Sequence, residues 1–241
     1  LFLAAVLVLF FIYTMQNQAR IQEQNRIYAE DCARQMAERI KSEFNNALQR
    51  IETSAYLVSS EGDSITIDAG MLKKLEGNTT FDAVRFTNAD GLNLTSSGET
   101  SNSSDRNYFI RGMQGYSGLE AVAKSRITGK PMLVFYAPIR RGEEIAGMFL
   151  GLYFSGDYLQ NMLSTNYFGE AADVFLCTMD GRVIASSDGR LYDGGLLECL
   201  TETGVIDAGT ADAAQAVFRD GGQAALLCPD GYKTDNLCVM H

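Results

Sequence analysis

The side chains best suited to chemistry are two arginines and a set of tyrosines between residues 105 and 155. Arg106, Tyr108, Arg126, Tyr136 and Tyr153 fall in elements that should surround one face of a small sheet. Arginine presents a planar fork of donors that matches carboxylates and phosphates. Tyrosine presents a flat apolar wall with one polar tip. Pockets for small solutes need such a mixture. Each residue also has a plainer reading: Arg106 as a partner of Asp105 or of a helix cap, Arg126 as a solvated charge beside a turn, and Tyr108, Phe109, Tyr136 and Tyr153 as core. Catalytic machinery is not indicated. The single histidine, His241, is the last residue, and there is no HExxH, GxSxG or P-loop. Asp90 to Asn93 stops short of the distal Glu that a calcium loop requires. No catalytic residue, metal or cofactor is therefore expected.

The elements that must position these residues follow from periodicity. Residues 14–58 contain neither Pro nor Gly, and Ile21, Tyr28, Cys32, Met36, Ile40, Phe44, Leu48, Ile51 and Ala55 recur at three-and-four spacing. This predicts one long amphipathic helix. From Ser59 onward the texture changes to short apolar runs punctuated by Gly, Asp, Asn and Ser. Residues 82–97, DAVRFTNADGLNLTSS, and 173–187, DVFLCTMDGRVIASS, repeat one pattern: strand, Asp-Gly turn, strand, Ser-Ser. Asp-Gly between alternating strands is a strong hairpin signal, because the turn needs a positive φ. A repeat at an offset of about 90 residues predicts two tandem modules of similar size. Between the hairpins, Asp105 to Gly115 reads as a short helix, residues 119–126, 131–140 and 145–155 as strands, and Asp157 to Ser164 as a helix. Further on come a helix near Asp212 to Arg219 and a hairpin from Gln223 to Met240.

The N-terminal residues Leu1 to Tyr13 are uncharged and apolar, shorter than the roughly 20 residues a membrane span needs. No small-residue cleavage site follows them, so they read as the remnant of a transmembrane helix cut at its N-terminus rather than as a signal peptide. With 20 Lys+Arg against 30 Asp+Glu and a net charge of −10, the chain lacks the clustered cations that nucleic acid would require. The five cysteines form no CxxC pair and no zinc spacing. Cys228 and Cys238 flank a turn and could pair; free buried thiols are the alternative.

The order of long helix, hairpin, Arg106-Asn107-Tyr108-Phe109 helix, Thr128-Gly129 turn, Ala137-Pro138-Ile139 strand and the Gly147 to Leu159 strand-plus-helix resembles the double Cache sensor domains of bacterial transmembrane receptors. The resemblance implies an α/β (α+β) fold in which the long helix carries two PAS-like antiparallel-sheet modules. The implied division is 1–13 transmembrane remnant, 14–58 stalk helix, 59–164 membrane-distal module and 165–241 membrane-proximal module, incomplete at its C-terminus. It implies a non-catalytic signal-input region facing outward from about residue 14, signalling as a homodimer through the long helix. The missing output domain would be a histidine kinase, a GGDEF diguanylate cyclase or a chemotaxis domain. The ligand site implied comprises Arg106, Tyr108, Phe109, Ser125, Arg126, Tyr136 and Tyr153. The amino-acid-binding branch has acids where Ser125 and Tyr153 stand here, so an ammonium would lack its counter-charge. The expectation is a carboxylate or other small solute, with a free α-amino acid disfavoured. A pilin-like or stalk-forming surface protein is the competing reading.

Overall fold

The computed structural model describes residues 2–61, 67–122, 124–127, 129–154, 157–164, 174–187, 189, 195–220, 224–227 and 237–240. Helix α1 runs unbroken from Phe2 to Glu61. Cys32, Met36, Ala47, Ile51, Ala55 and Val58 are buried along one of its faces, while Ile21 and Tyr28 on the predicted stripe are exposed. Among the residues whose burial is described, the buried positions of the helix run from Cys32 to Val58. Among the described residues, no helix is long and apolar enough to cross a membrane.

After α1 come α2 (Ala69–Gly77), β1 (Ala83–Asn88), β2 (Leu92–Thr95), β3 (Thr100–Asn102), α3 (Asn107–Met113), β4 (Gly118–Val122), β5 (Met132–Arg141), β6 (Glu144–Phe154) and α4 (Asp157–Leu163). The strands form one antiparallel sheet in the order β3-β2-β1-β6-β5-β4. Helix α2 lies in the segment whose punctuation predicts only strands and turns. It forms because Asp68 caps it, its carboxylate accepting the Met71 N–H at 2.8 Å.

Side-chain alternation splits the sheet into two faces. Val84, Leu133, Phe135, Ala137, Ile139, Phe149 and Tyr153 join α1, α2 and α4 in one core. Val134, Tyr136, Met148, Leu150 and Leu152 point the other way, where Tyr108 and Phe109 of α3 cover them. Helix α3 sits close because Gly112 has no side chain: a Cβ there would lie 2.5 Å from the Met148 Cε.

The repeat is visible as two hairpins. In β1–β2 the Gly91 N–H reaches the Asn88 carbonyl at 3.0 Å with Gly91 at φ +81°. The strands β7 (Phe175–Cys177) and β8 (Val183–Ser186) pair antiparallel around a turn in which the Gly181 N–H reaches the Thr178 carbonyl at 2.8 Å with φ +82°. Beyond them lie α5 (Leu196–Glu202), α6 (Ala208–Asp220) and the antiparallel pair β9 (Ala224–Leu227) and β10 (Leu237–Met240). Cys32, Cys177 and Cys199 are free thiols, and burial pushes the Cys177 thiol up to about 12. Cys228 lies outside the described residues.

Candidate ligand-binding site

The α3 side of the sheet carries the candidate site. Its floor can be read from the pairing register, since residues opposite one another share a face. One row across the strands is Thr95, Arg85, Leu150, Tyr136 and Gly118. The next is Ala83, Leu152, Val134 and Glu120. Tyr136 is 2% exposed, and its hydroxyl fills the space that a Cβ at Gly118 would need. Burial raises the pKa of that hydroxyl, partly offset by the nearby Arg111 guanidinium.

Arg106 is the residue preceding α3. Its backbone is extended, φ −84° and ψ 141°, and its side chain makes no cap bond. That leaves the guanidinium to reach the loop opposite, where Nη2 comes 3.5 Å from the Lys124 carbonyl. Arg106, Lys124, Ser125, Arg126, Ile127 and Gly129 line an open cleft of about 620 Å³. Ser125 lies in a tight turn rather than on a strand: its N–H donates to the Lys130 carbonyl and its carbonyl accepts from the Gly129 N–H, both at 2.9 Å. The strand predicted for 119–126 therefore ends at Val122. Arg126, about half exposed, is ion-paired with Asp105 and donates to the Asn102 carbonyl at 2.8 Å. Its guanidinium holds the Asp105 carboxyl below the usual range. Arg126 thus stands at the rim with its charge already matched.

The structure gathers Arg106, Tyr108, Phe109, Ser125 and Tyr136 around the α3 face and its cleft. It corrects the placement of Tyr153. On β6 the residues facing α3 are Met148, Leu150 and Leu152, so Tyr153 points to the α1 side. There it stacks on Tyr158 at 4.4 Å, meets Phe81 and Phe135, and is hydrogen-bonded to Thr80 at 2.5 Å. A one-residue error along a strand exchanges the faces.

Sequence reasoning missed two charged residues on this face, Glu120 and Arg85. Glu120 reads as a solvent-facing strand position, yet its partners at i−2 and i+2 are Gly118 and the buried Val122, which was the available signal. Burial raises the pKa of its carboxyl, while Arg106, Arg111 and the Tyr108 backbone N–H favour the ionised form. The site therefore has an acid within the field of Arg106. The folded state binds the Glu120 proton more tightly than the unfolded chain does, so this group's contribution to stability falls as pH rises through the raised pKa. Glu120→Gln, which keeps an acceptor for Tyr108, is expected to melt above the wild type at pH 7, with the gap narrowing as pH falls toward and below the unfolded carboxyl pKa of about 4.3. Thermal melts from pH 4 to 8 check this, and a gap that does not change with pH would contradict it.

No protein-family model and no curated protein matches the sequence. Solved structures do match. The ligand-binding domain of the Pseudomonas fluorescens chemoreceptor CtaA with L-serine superposes at a TM-score of 0.63 and 16% identity, over 90% of this chain and 96% of that one. The same domain with L-leucine gives 0.60 and 19%, over 76% and 79%. The Pseudomonas aeruginosa chemoreceptor PctC domain with GABA gives 0.57 and 17%, over 73% and 80%. The fold is the Cache-type fold of chemoreceptor ligand-binding domains. These domains hold free amino acids, which overturns the expectation against that ligand class. The expectation looked for an acid only at Ser125 and Tyr153; it did not consider Glu120, which shares the α3 face of the sheet with Val134.

Proposed function

We propose that this chain is the extracytoplasmic signal-input region of a membrane-bound receptor and that its distal module, residues 59–164, binds a free amino acid. The observation that carries the reading is the presence of opposite charges on one side of the sheet, Arg106 at the cleft and Glu120 within its field on β4, beside Tyr108 of α3 and Tyr136 of the floor. A zwitterion needs both: a donor fork for its carboxylate and an acid for its ammonium. The chemoreceptor domains that share the fold and hold amino acids add support. Residues 1–13 anchor the chain in the membrane, residues 165–241 form the membrane-proximal module, and ligand binding shifts the long helix against the sheet it packs on. Output lies in a domain beyond this chain, and the region itself performs no chemistry. The homodimer is part of the reading, and Ile21 and Tyr28 of α1, 52% and 56% exposed, support it.

The test is a thermal-shift panel of the twenty common amino acids on the 241-residue chain. At least one is expected to raise the melting temperature in proportion to the logarithm of its concentration. A panel without any stabilisation would remove the sensing assignment and leave the stalk reading.

A further inference from the structure

A second cleft opens at the C-terminal end of α1 and shares no lining residue with the Arg106 cleft. It measures about 520 Å³ and lies where the last turns of the helix meet the end of β5 and the segment joining α3 to β4. Glu52, Tyr56 and Ser59 recur at four- and three-residue spacing, so they stand on one face of α1. Pro138 and Arg140 of β5, with Ser117, form the rest of the wall.

Arg140 fixes this wall. Its backbone N–H donates to the Ser59 Oγ at 2.9 Å, and that hydroxyl donates in turn to the Ala55 carbonyl at 2.7 Å. Its guanidinium donates to the Gly115 carbonyl at 3.2 Å, an approach open only because Gly115 lacks a side chain: a Cβ there would lie 2.6 Å from Nη2. One residue thus ties α1 to the end of α3 and holds a guanidinium at the cleft. Strand β4 pairs with β5 only from Met132 to Tyr136, so β5 runs on past its neighbour as an edge. That edge is closed to a further strand, because Pro138 has no N–H and the Arg140 N–H is spent on Ser59. The cleft is therefore built for a compact occupant rather than an extended peptide.

We infer that this cleft is a second ligand site and that it takes a neutral sugar of monosaccharide size. Its two charged lining residues, Glu52 and Arg140, balance, so an ion of either sign would meet a like charge. Among the described residues neither of them forms an ion pair. A zwitterion would be held here by ion pairs open to water, which contribute little. A polyhydroxy compound uses the whole lining: its hydroxyls donate to the Glu52 carboxylate and accept from the Arg140 guanidinium, both charge-assisted bonds. Tyr56, 71% exposed, leaves an aromatic face in water, and the weakly positive C–H face of a sugar ring lies against the negative face of such a ring. A sugar seated there touches α1 and β5 together, so its binding bears on the contact between helix and sheet. The inference goes beyond the amino-acid reading and does not depend on it.

Titration calorimetry on the 241-residue chain with D-glucose, D-galactose, D-ribose and L-alanine tests it. At least one of the three sugars is expected to bind. Tyr56→Ala should weaken that sugar about tenfold or more through loss of the stacking face. Glu52→Gln should weaken it about three- to tenfold, since the amide accepts hydroxyls without the charge. Leu57→Ala, exposed beside Tyr56 but outside the lining, should leave the affinity within about twofold. Tyr56 is a surface residue, so the unliganded melting temperature of Tyr56→Ala should stay within about 2 °C of the wild type, and lost binding then reports the site rather than the fold. Failure of all three sugars to bind overturns the inference, as does a sugar whose affinity survives in both Tyr56→Ala and Glu52→Gln. If Tyr56→Ala weakens L-alanine instead, the cleft holds a zwitterion and the sugar assignment falls, while the amino-acid reading of the Arg106 cleft is judged separately by Arg106→Ala.

Discussion

Arg106→Ala is expected to weaken the binding of any carboxylate ligand by about 30- to 1000-fold, the range that about 2–4 kcal/mol gives when one partner of a desolvated charge pair is removed. The argument rests on where Arg106 stands. It lines the cleft, and among the described residues its one side-chain hydrogen bond is a long 3.5 Å contact to the Lys124 carbonyl. What α3 needs from it is the backbone: the Phe109 and Ile110 N–H groups bond to the Arg106 carbonyl at 3.1 and 3.0 Å, and alanine keeps that carbonyl. The unliganded melting temperature should therefore move by no more than about 2 °C. Arg126→Ala is the internal comparison. Its charge is matched by Asp105 at an exposed rim, where ion pairs contribute little, so affinity should change less than about fivefold. Should Arg126→Ala cost more than Arg106→Ala in calorimetry, the carboxylate seat would have to be moved to the 125–130 turn.

The architecture was legible where periodicity is strong. A stretch without Pro or Gly and with one apolar stripe gave α1, and Asp-Gly between alternating runs gave both hairpins, because those signals depend on local backbone chemistry alone. The exposed state of Ile21 and Tyr28 was not legible, since a stripe reports what can be buried and not what stands opposite it. Helix α2 was hidden by its glycines, Gly70 and Gly77, and depends on the Asp68 cap. At the site, the Arg106-Tyr108-Phe109 group was readable as a motif. Face assignment on β6 was not, because Leu152 and Tyr153 are both apolar enough to be buried on either side. Arg85 and Glu120 were missed for a related reason. A charged residue in an alternating strand is normally on the solvent side, and only tertiary covering by α3 buries that side.

Phe135→Ala should be the most damaging single core change argued for here, at about 3–5 kcal/mol, the usual cost of deleting a fully buried phenyl ring. Phe135 is 0% exposed on the central strand β5. Its ring meets Phe44 of α1 edge-on at 5.6 Å, Tyr153 of β6 edge-on at 5.6 Å and Phe81 at 5.7 Å. One side chain thus ties the long helix to the sheet and to the segment leading into β1. For a chain of this size the cost corresponds to a melting temperature lower by about 6–20 °C. The aromatic contact to α1 can be isolated by a double-mutant cycle with Phe44→Ala, in which a coupling of about 0.5–1.5 kcal/mol is expected beyond the area each ring buries. Ligand affinity measured well below the transition should stay within about threefold of the wild type, because Phe135 points away from Arg106 and Glu120 through the thickness of the sheet. A cycle with no coupling would mean that α1 is not seated through this ring. A large loss of affinity would mean that the two faces of the sheet act as one unit, in which case the Phe44–Phe135 contact becomes the place where ligand binding is transmitted to the helix.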